Sequence, residues 1–158
     1  MKATPSVLFV CLGNICRSPL AEAAFRKAAA EAGLEAIADS AGTADYHVGS
    51  PPDPRSIVIA ARYGVDILEY QGRQIATADY TLFTHIFALD SANLADIRRH
   101  APGDTTAEIA LLLDVVDGRE GQPVLDPYYG DQEDFEATWA DVSAAAEALV
   151  ARLLSDGT

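Results

Sequence analysis

The sequence predicts a single three-layer α/β domain: a four-stranded parallel sheet with helices on both faces and a phosphate-binding loop after the first strand. Three observations predict it. Short apolar runs alternate with helical patterns along the chain, the signature of strands joined by crossover helices. The chain has 158 residues, enough for one domain with a real core and too few for two. The first apolar run stops at a cysteine, and Val7-Leu8-Phe9-Val10-Cys11-Leu12-Gly13-Asn14-Ile15-Cys16-Arg17-Ser18-Pro19 reads as strand, tight loop and helix start.

The elements follow in order. Residues 5–11 form the first strand. From Pro19 to about Ala32, apolar side chains at Leu20, Ala23, Ala24, Phe25 and Ala28 keep helical spacing. Ser18 and Pro19 suit the cap and first positions of that helix, and Gly33 suits its end. Leu34 to Ala41 is a second strand, ending at Ser40-Ala41-Gly42-Thr43. A loop rich in Gly, Pro and Asp runs to Pro54. Arg55 to Tyr63 is a second helix closed by Gly64, and a helical turn lies near Thr77–Tyr80. His85 to Leu89 is a third strand, followed by a helix over Ser91–His100 with Ser91 as its cap and Pro102-Gly103 as its stop. Glu108 to Leu113 is a fourth strand, 114–125 a loop and Asp126-Pro127-Tyr128-Tyr129-Gly130 a turn. Glu133 to Leu154 is a long amphipathic helix with Trp139 in its apolar face. Ligands of parallel sheets bind beyond the carboxyl ends of the strands. Cys11, Ser40 and Asp90 would share that edge. One domain spans 1–158, with no internal repeat or linker.

The formal net charge is -13. It argues against nucleic acid or an anionic membrane as partner, since both select basic surfaces. No run approaches the ~18 apolar residues of a membrane span. The N-terminus leads straight into a strand without the pattern of a signal peptide, so a cytoplasmic protein is expected. The only two cysteines are Cys11 and Cys16, which leaves no thiols for a disulfide framework or a four-thiol zinc site.

The loop itself points to anion chemistry. Backbone N–H groups at a helix N-terminus cradle oxyanions. A thiol becomes a nucleophile when ionised, and helix N-termini and nearby cations favour the thiolate. Arg17 offers a planar fork for two phosphate oxygens. Gly13 and Asn14 let the chain curl, and Ser18 can hydrogen-bond the thiolate. Leu12 to Ser18 thus form the candidate phosphate site, with affinity supplied by Arg17 and the loop amides against an opposing global charge. A nucleotide P-loop would need Gly-Lys-Ser/Thr, a dinucleotide fingerprint three spaced glycines, and a redox site Cys-x-x-Cys; none is present. Two buried core thiols would not require the Gly-Asn curl or the Arg-Ser-Pro exit.

Cys11-Leu-Gly-Asn-Ile-Cys-Arg-Ser-Pro19, Ser40-Ala41-Gly42-Thr43 and Asp126-Pro127-Tyr128-Tyr129-Gly130 together resemble the low-molecular-weight protein tyrosine phosphatases, in order and spacing nearly end to end. The resemblance implies hydrolysis of phosphotyrosine and small aryl phosphates through a phosphocysteine on Cys11. Arg17 would clamp the phosphate, Asp126 would act as general acid and then base, and neither metal nor cofactor would be needed. Alone, Asp126-Pro127 reads as a turn; beside the loop, the acid is the better reading. Ser40 and Asp90 would support Asn14 and the loop. Leu12, Tyr46, His47, Tyr128 and Tyr129 would wall the substrate's ring. The family often has tryptophan at Tyr46, so specificity is altered there. Ile15 resembles the tyrosine-directed members; those directed at phosphoarginine tend to carry threonine.

For Cys16 two readings stand. The family implies a reversible disulfide with Cys11, protecting it from overoxidation; the other is a small packed thiol. Asp53 and Arg55 match a family pattern, though Asp-x-Arg is also an ordinary helix start. The family often has histidine near Tyr70, so its regulatory pairing there is in doubt. His85 and His100 read as structural. Expected partners are phosphotyrosine-containing proteins and a tyrosine kinase, with the chain itself a monomer. Two alternatives use a similar loop. An arsenate reductase needs downstream thiols, and none follows Cys16. A phosphocysteine carrier passes phosphate to a sugar and usually lacks the distal acid.

Overall fold

The computed structural model describes residues 4–156; Met1–Ala3, Gly157 and Thr158 lie outside them. Strands β1 (Ser6–Cys11), β2 (Ile37–Gly42), β3 (His85–Ala88) and β4 (Glu108–Leu111) form one sheet in the order β2-β1-β3-β4. All three pairings are parallel, and Cys11 at the end of β1 lies beside Gly42 at the end of β2.

A central parallel strand is buried on both faces and reads as a continuous apolar run. Val7, Leu8, Phe9 and Val10 are almost fully excluded from solvent. Val7 and Phe9 face the core shared with α1 (Arg17–Ala32), α2 (Pro54–Arg62) and α5 (Gln132–Asp156). Phe9 meets Phe25 of α1 at a ring-centroid distance of 5.7 Å and Phe87 of β3 at 6.3 Å. Leu8 and Val10 face the other core with Ile86, with Tyr80 of α3 (Asp79–Leu82) and with Ile97 of α4 (Ser91–His100). Helices thus cover both faces, and α1 packs along α5 through small side chains such as Ala21, Ala24, Ala145 and Ala146.

Several boundaries differ from the sequence expectation. Helix α1 begins at Arg17, so Ser18 lies inside its first turn and is not the cap; Cys16 takes the cap position without a side-chain cap bond. Pro19 is tolerated because N–H groups of the first turn have no intrahelical partner. Asp90, not Ser91, caps α4, its Oδ1 accepting from the Asn93 N–H at 2.8 Å. The carboxylate reaches that amide where a serine already inside the turn cannot. Strand β2 starts at Ile37, because the Leu34 N–H is spent on the Ala29 carbonyl that ends α1. Strand β4 stops at Leu111, and Leu112–Val115 turn as a 3-10 helix. Gly33 ends α1 as expected, in the left-handed region at φ 71°. Among the described residues no helix is long and apolar enough to cross a membrane.

Candidate active site

The loop from Cys11 to Arg17 is held from outside by its carbonyls. Those of Cys11, Leu12 and Ile15 accept from the backbone N–H groups of Thr43, Ala44 and Asp53 at 2.9, 3.0 and 2.8 Å. The Cys16 carbonyl accepts from Ser56 Oγ. In a planar trans peptide the N–H points opposite to the carbonyl. Drawing these carbonyls outward therefore turns the N–H groups of Leu12, Gly13, Cys16 and Arg17 toward the hollow, as an oxyanion cradle requires. Gly42 lets the loop pass close: a Cβ there would lie 2.6 Å from the Leu12 carbonyl oxygen.

Asn14 locks the curl. It is the one described non-glycine residue with positive φ, at 58°, where an L side chain costs about 1–2 kcal/mol. Its Oδ1 accepts from the Arg73 N–H at 3.0 Å, which fixes the amide's orientation. Its Nδ2 then donates to Ser18 Oγ at 2.7 Å and Ser40 Oγ at 3.0 Å. The Ser40 hydroxyl donates to Glu22 Oε1 at 2.9 Å. Ser18 Oγ, already accepting from Asn14, has its proton free for Cys11 Sγ 3.0 Å away. A buried relay thus runs from Glu22 through Ser40, Asn14 and Ser18 to the thiol. Burial pushes the Glu22 carboxyl above its ordinary range, against the pull of Arg26. Tyr70 stands beside this pair, and burial pushes its hydroxyl up to about 12.

Arg17 crosses beneath the cleft with only 5% of its side chain exposed. Nη1 donates to Asp90 Oδ2 at 2.8 Å and to the Val124 carbonyl at 2.9 Å, while Nη2 lies 3.8 Å from Asp126 Oδ2. Asp126 is half exposed, and its Oδ1 accepts from the Tyr128 N–H. The cleft above measures about 270 Å³. Cys11, Gly13, Ile15, Cys16 and Arg17 floor it; Leu12, Tyr46, His47, Tyr128 and Tyr129 rise around it with Asp126. The rings of Tyr128 and Tyr129 meet edge to face at 4.9 Å.

Three distant segments therefore converge on one hollow: the loop after β1, the 46–47 loop and the segment before α5. The low molecular weight phosphotyrosine protein phosphatase family model matches residues 6–158. The chain belongs to this family. It is 44% identical to the Schizosaccharomyces pombe family member over 132 residues, 82% of this chain and 84% of that protein. The solved Bacillus subtilis member superposes with a TM-score of 0.91 at 38% identity, covering 99% of each chain. A Drosophila arginine phosphatase superposes at 0.89 with 31% identity, covering 95% of this chain and 98% of that one.

Within this family frame, Asn14 and Ser18 stand behind the cleft floor, and Ser40 meets Asn14 as expected of a support. Asp90 reaches Arg17 rather than Asn14. Cys16 is buried next to Asp53; burial, then the Asp53 charge, pushes its thiol up to about 12. Both cysteines are free thiols. Trp139 is in the core, stacked on Tyr63 at 5.2 Å. His85 pairs with Glu108, and the His100 ring meets the Asp96 carbonyl, both away from the cleft. Among the described residues no cluster of His, Cys, Asp and Glu could hold a metal ion. Sequence reasoning passed over Glu22 and Arg73. Glu22 left one signal, its position four residues after Ser18 on the same helix face. Arg73, held by Asp39 and Asp79 while its N–H fixes Asn14, left none.

Proposed function

We propose that this chain is a protein tyrosine phosphatase that hydrolyses phosphotyrosine and small aryl phosphates. One observation carries the reading: Cys11, Arg17 and a carboxylate from near the other end of the chain, Asp126, meet in one cleft rimmed by tyrosines. Cys11 Sγ attacks phosphorus in line, and the phenolate leaves as Asp126 protonates its oxygen. Water then attacks the phosphocysteine, Asp126 takes the water's proton, and the Ser18 hydroxyl steadies the departing thiolate. With Nη1 pinned by Asp90 and Val124, Arg17 turns Nη2 and Nε to the phosphate oxygens beside the loop amides. Such preorganised donors supply most of the rate in phosphoryl transfer.

Cys16, kept protonated beside Asp53, is a candidate partner for reversible oxidation of Cys11. The expected substrates are phosphotyrosine proteins, the setting is the cytoplasm, the chain acts as a monomer, and a tyrosine kinase is a candidate partner. Ile15 in the cleft floor favours tyrosine over arginine phosphate. The test is hydrolysis of phosphotyrosine, p-nitrophenyl phosphate and phosphoarginine, with chelator present, by the wild type and Cys11→Ser. The aryl substrates should turn over, with loss of about 10⁴-fold or more in the variant. A variant that kept its rate would refute the phosphocysteine route, and faster phosphoarginine turnover would reassign the substrate.

A further inference from the structure

We infer that Arg55 is a positioning residue for the proton-donating segment, coupling it to the phosphate loop through Asp53. The inference rests on the role of Asp126 proposed above.

The pair sits at the start of α2. The Asp53 N–H donates to the Ile15 carbonyl of the phosphate loop at 2.8 Å. Asp53 caps α2 by accepting the Arg55 N–H at 2.9 Å. The same carboxylate takes the guanidinium side-on: Oδ1 accepts from Nε and Oδ2 from Nη2, both at 3.0 Å. That fork–fork geometry fixes the plane of the guanidinium as well as its place.

The rest of the guanidinium is spent on the acid segment. Nη2 also donates to the Tyr128 carbonyl at 2.9 Å, and Nη1 donates to the Gly130 carbonyl at 3.3 Å. Its carbon lies 4.6 Å from the Phe135 ring centroid and 5.6 Å from that of Tyr128. Phe135 is fully buried in the first turn of α5 and is therefore a fixed platform. Apart from the approach of Arg17 to Asp126 at 3.8 Å, segment 126–130 closes on itself through Tyr128 N–H to Asp126 Oδ1 and Gly130 N–H to the Pro127 carbonyl. Arg55 thus sets the height of the turn that carries Asp126, measured from the loop that carries Cys11. A lysine could not do this: one ammonium cannot hold a carboxylate edge and two diverging carbonyls.

A misplaced acid has a signature that a weakened fold does not. Protonation matters most for a poor leaving group and little for a good one. In Arg55→Met, which keeps an apolar stem against Phe135, kcat/KM for phenyl phosphate should fall about tenfold or more. The value for 2,4-dinitrophenyl phosphate should fall less than about threefold. Arg55→Lys should behave like Arg55→Met. An equal fall for both substrates, or no fall, overturns the inference. If Arg55→Met is poorly folded, the decision passes to the folded Arg55→Lys and to a double-mutant cycle. Adding Arg55→Lys to Asp126→Asn should cost phenyl phosphate hydrolysis nothing further; a full additional loss overturns the inference. Should Asp126→Asn alone leave phenyl phosphate hydrolysis intact, the proposed role of Asp126 fails; should it be impaired while Arg55→Met slows both substrates equally, only the Arg55 assignment fails.

Discussion

The phosphate loop and the acid segment face each other across one cleft and are held very differently. Residues 11–18 sit on the buried end of β1, with carbonyls drawn outward and Asn14 bonded on three sides. Bonds within the fold hold the loop's N–H groups in place, the preorganisation on which the proposed phosphoryl transfer would draw. Residues 125–131 lie largely at the surface; Leu125 is 75% exposed and Tyr129 96%. From the body of the molecule they are reached by two arginines, Arg17 under Asp126 and Arg55 under the turn. Phosphate is the same in every substrate and suits a fixed mould. On the proposed mechanism the leaving group differs between substrates and suits a carboxylate on a lightly tethered arm.

The sharpest way to break this contrast is Asn14→Ala. It removes two buried hydrogen bonds and a half-buried one, and leaves a residue poorly suited to φ 58°. Urea unfolding should show a loss of about 2–4 kcal/mol, accompanied by a large fall in kcat. Unchanged stability and turnover would mean that the mould does not depend on Asn14.

A smaller effect belongs to Cys16. Its thiol moves from 9.0 to about 12 in the fold, so the native state keeps a proton that the unfolded chain gives up. Stability is therefore full below about pH 9 and declines as pH rises toward 12. Tyr70 adds to the same decline. Between pH 8 and 10.5 the Cys16 contribution is about 2 kcal/mol. Unfolding in reductant should show a smaller alkaline loss for Cys16→Ala than for the wild type. Equal losses would remove Cys16 as the cause.

The smallest effect is expected on the acid side. Tyr129→Ala should change stability by less than about 0.5 kcal/mol while weakening aryl phosphates by roughly two- to tenfold in kcat/KM. A large drop in melting temperature would show that this segment is built more like the phosphate loop than its exposure implies.

The same contrast explains what could be read from the residues alone. The strand–loop–helix passage is local: its apolar run, Gly-Asn curl and arginine are contiguous, and both fold and site follow from them. N-cap preference is a local rule and puts Ser18 at the cap, while in the folded loop its hydroxyl answers to Cys11 and Asn14. The sequence offers Ser40 and Asp90 as supports of Asn14 and the loop; in the fold Ser40 meets Asn14, and Asp90 meets the loop through Arg17. Arg73 reaches Asn14 across 59 residues of sequence and Arg55 reaches Tyr128 across 73; a single charged residue carries no pattern that names such partners. Leu112 and Leu113 are as apolar as a strand yet turn as a 3-10 helix, so β4 is shorter than its sequence predicts.

The Asp126 turn opens directly into α5, whose apolar face completes the core against α1. During synthesis the loop carrying Cys11 and Arg17 emerges well before the turn carrying Asp126. A nascent chain can therefore display the thiol and the arginine long before it holds the carboxylate proposed to protonate a leaving phenol. On the proposed mechanism, full turnover of a phenolic substrate waits until the last helix docks, so such turnover doubles as a readout of finished folding.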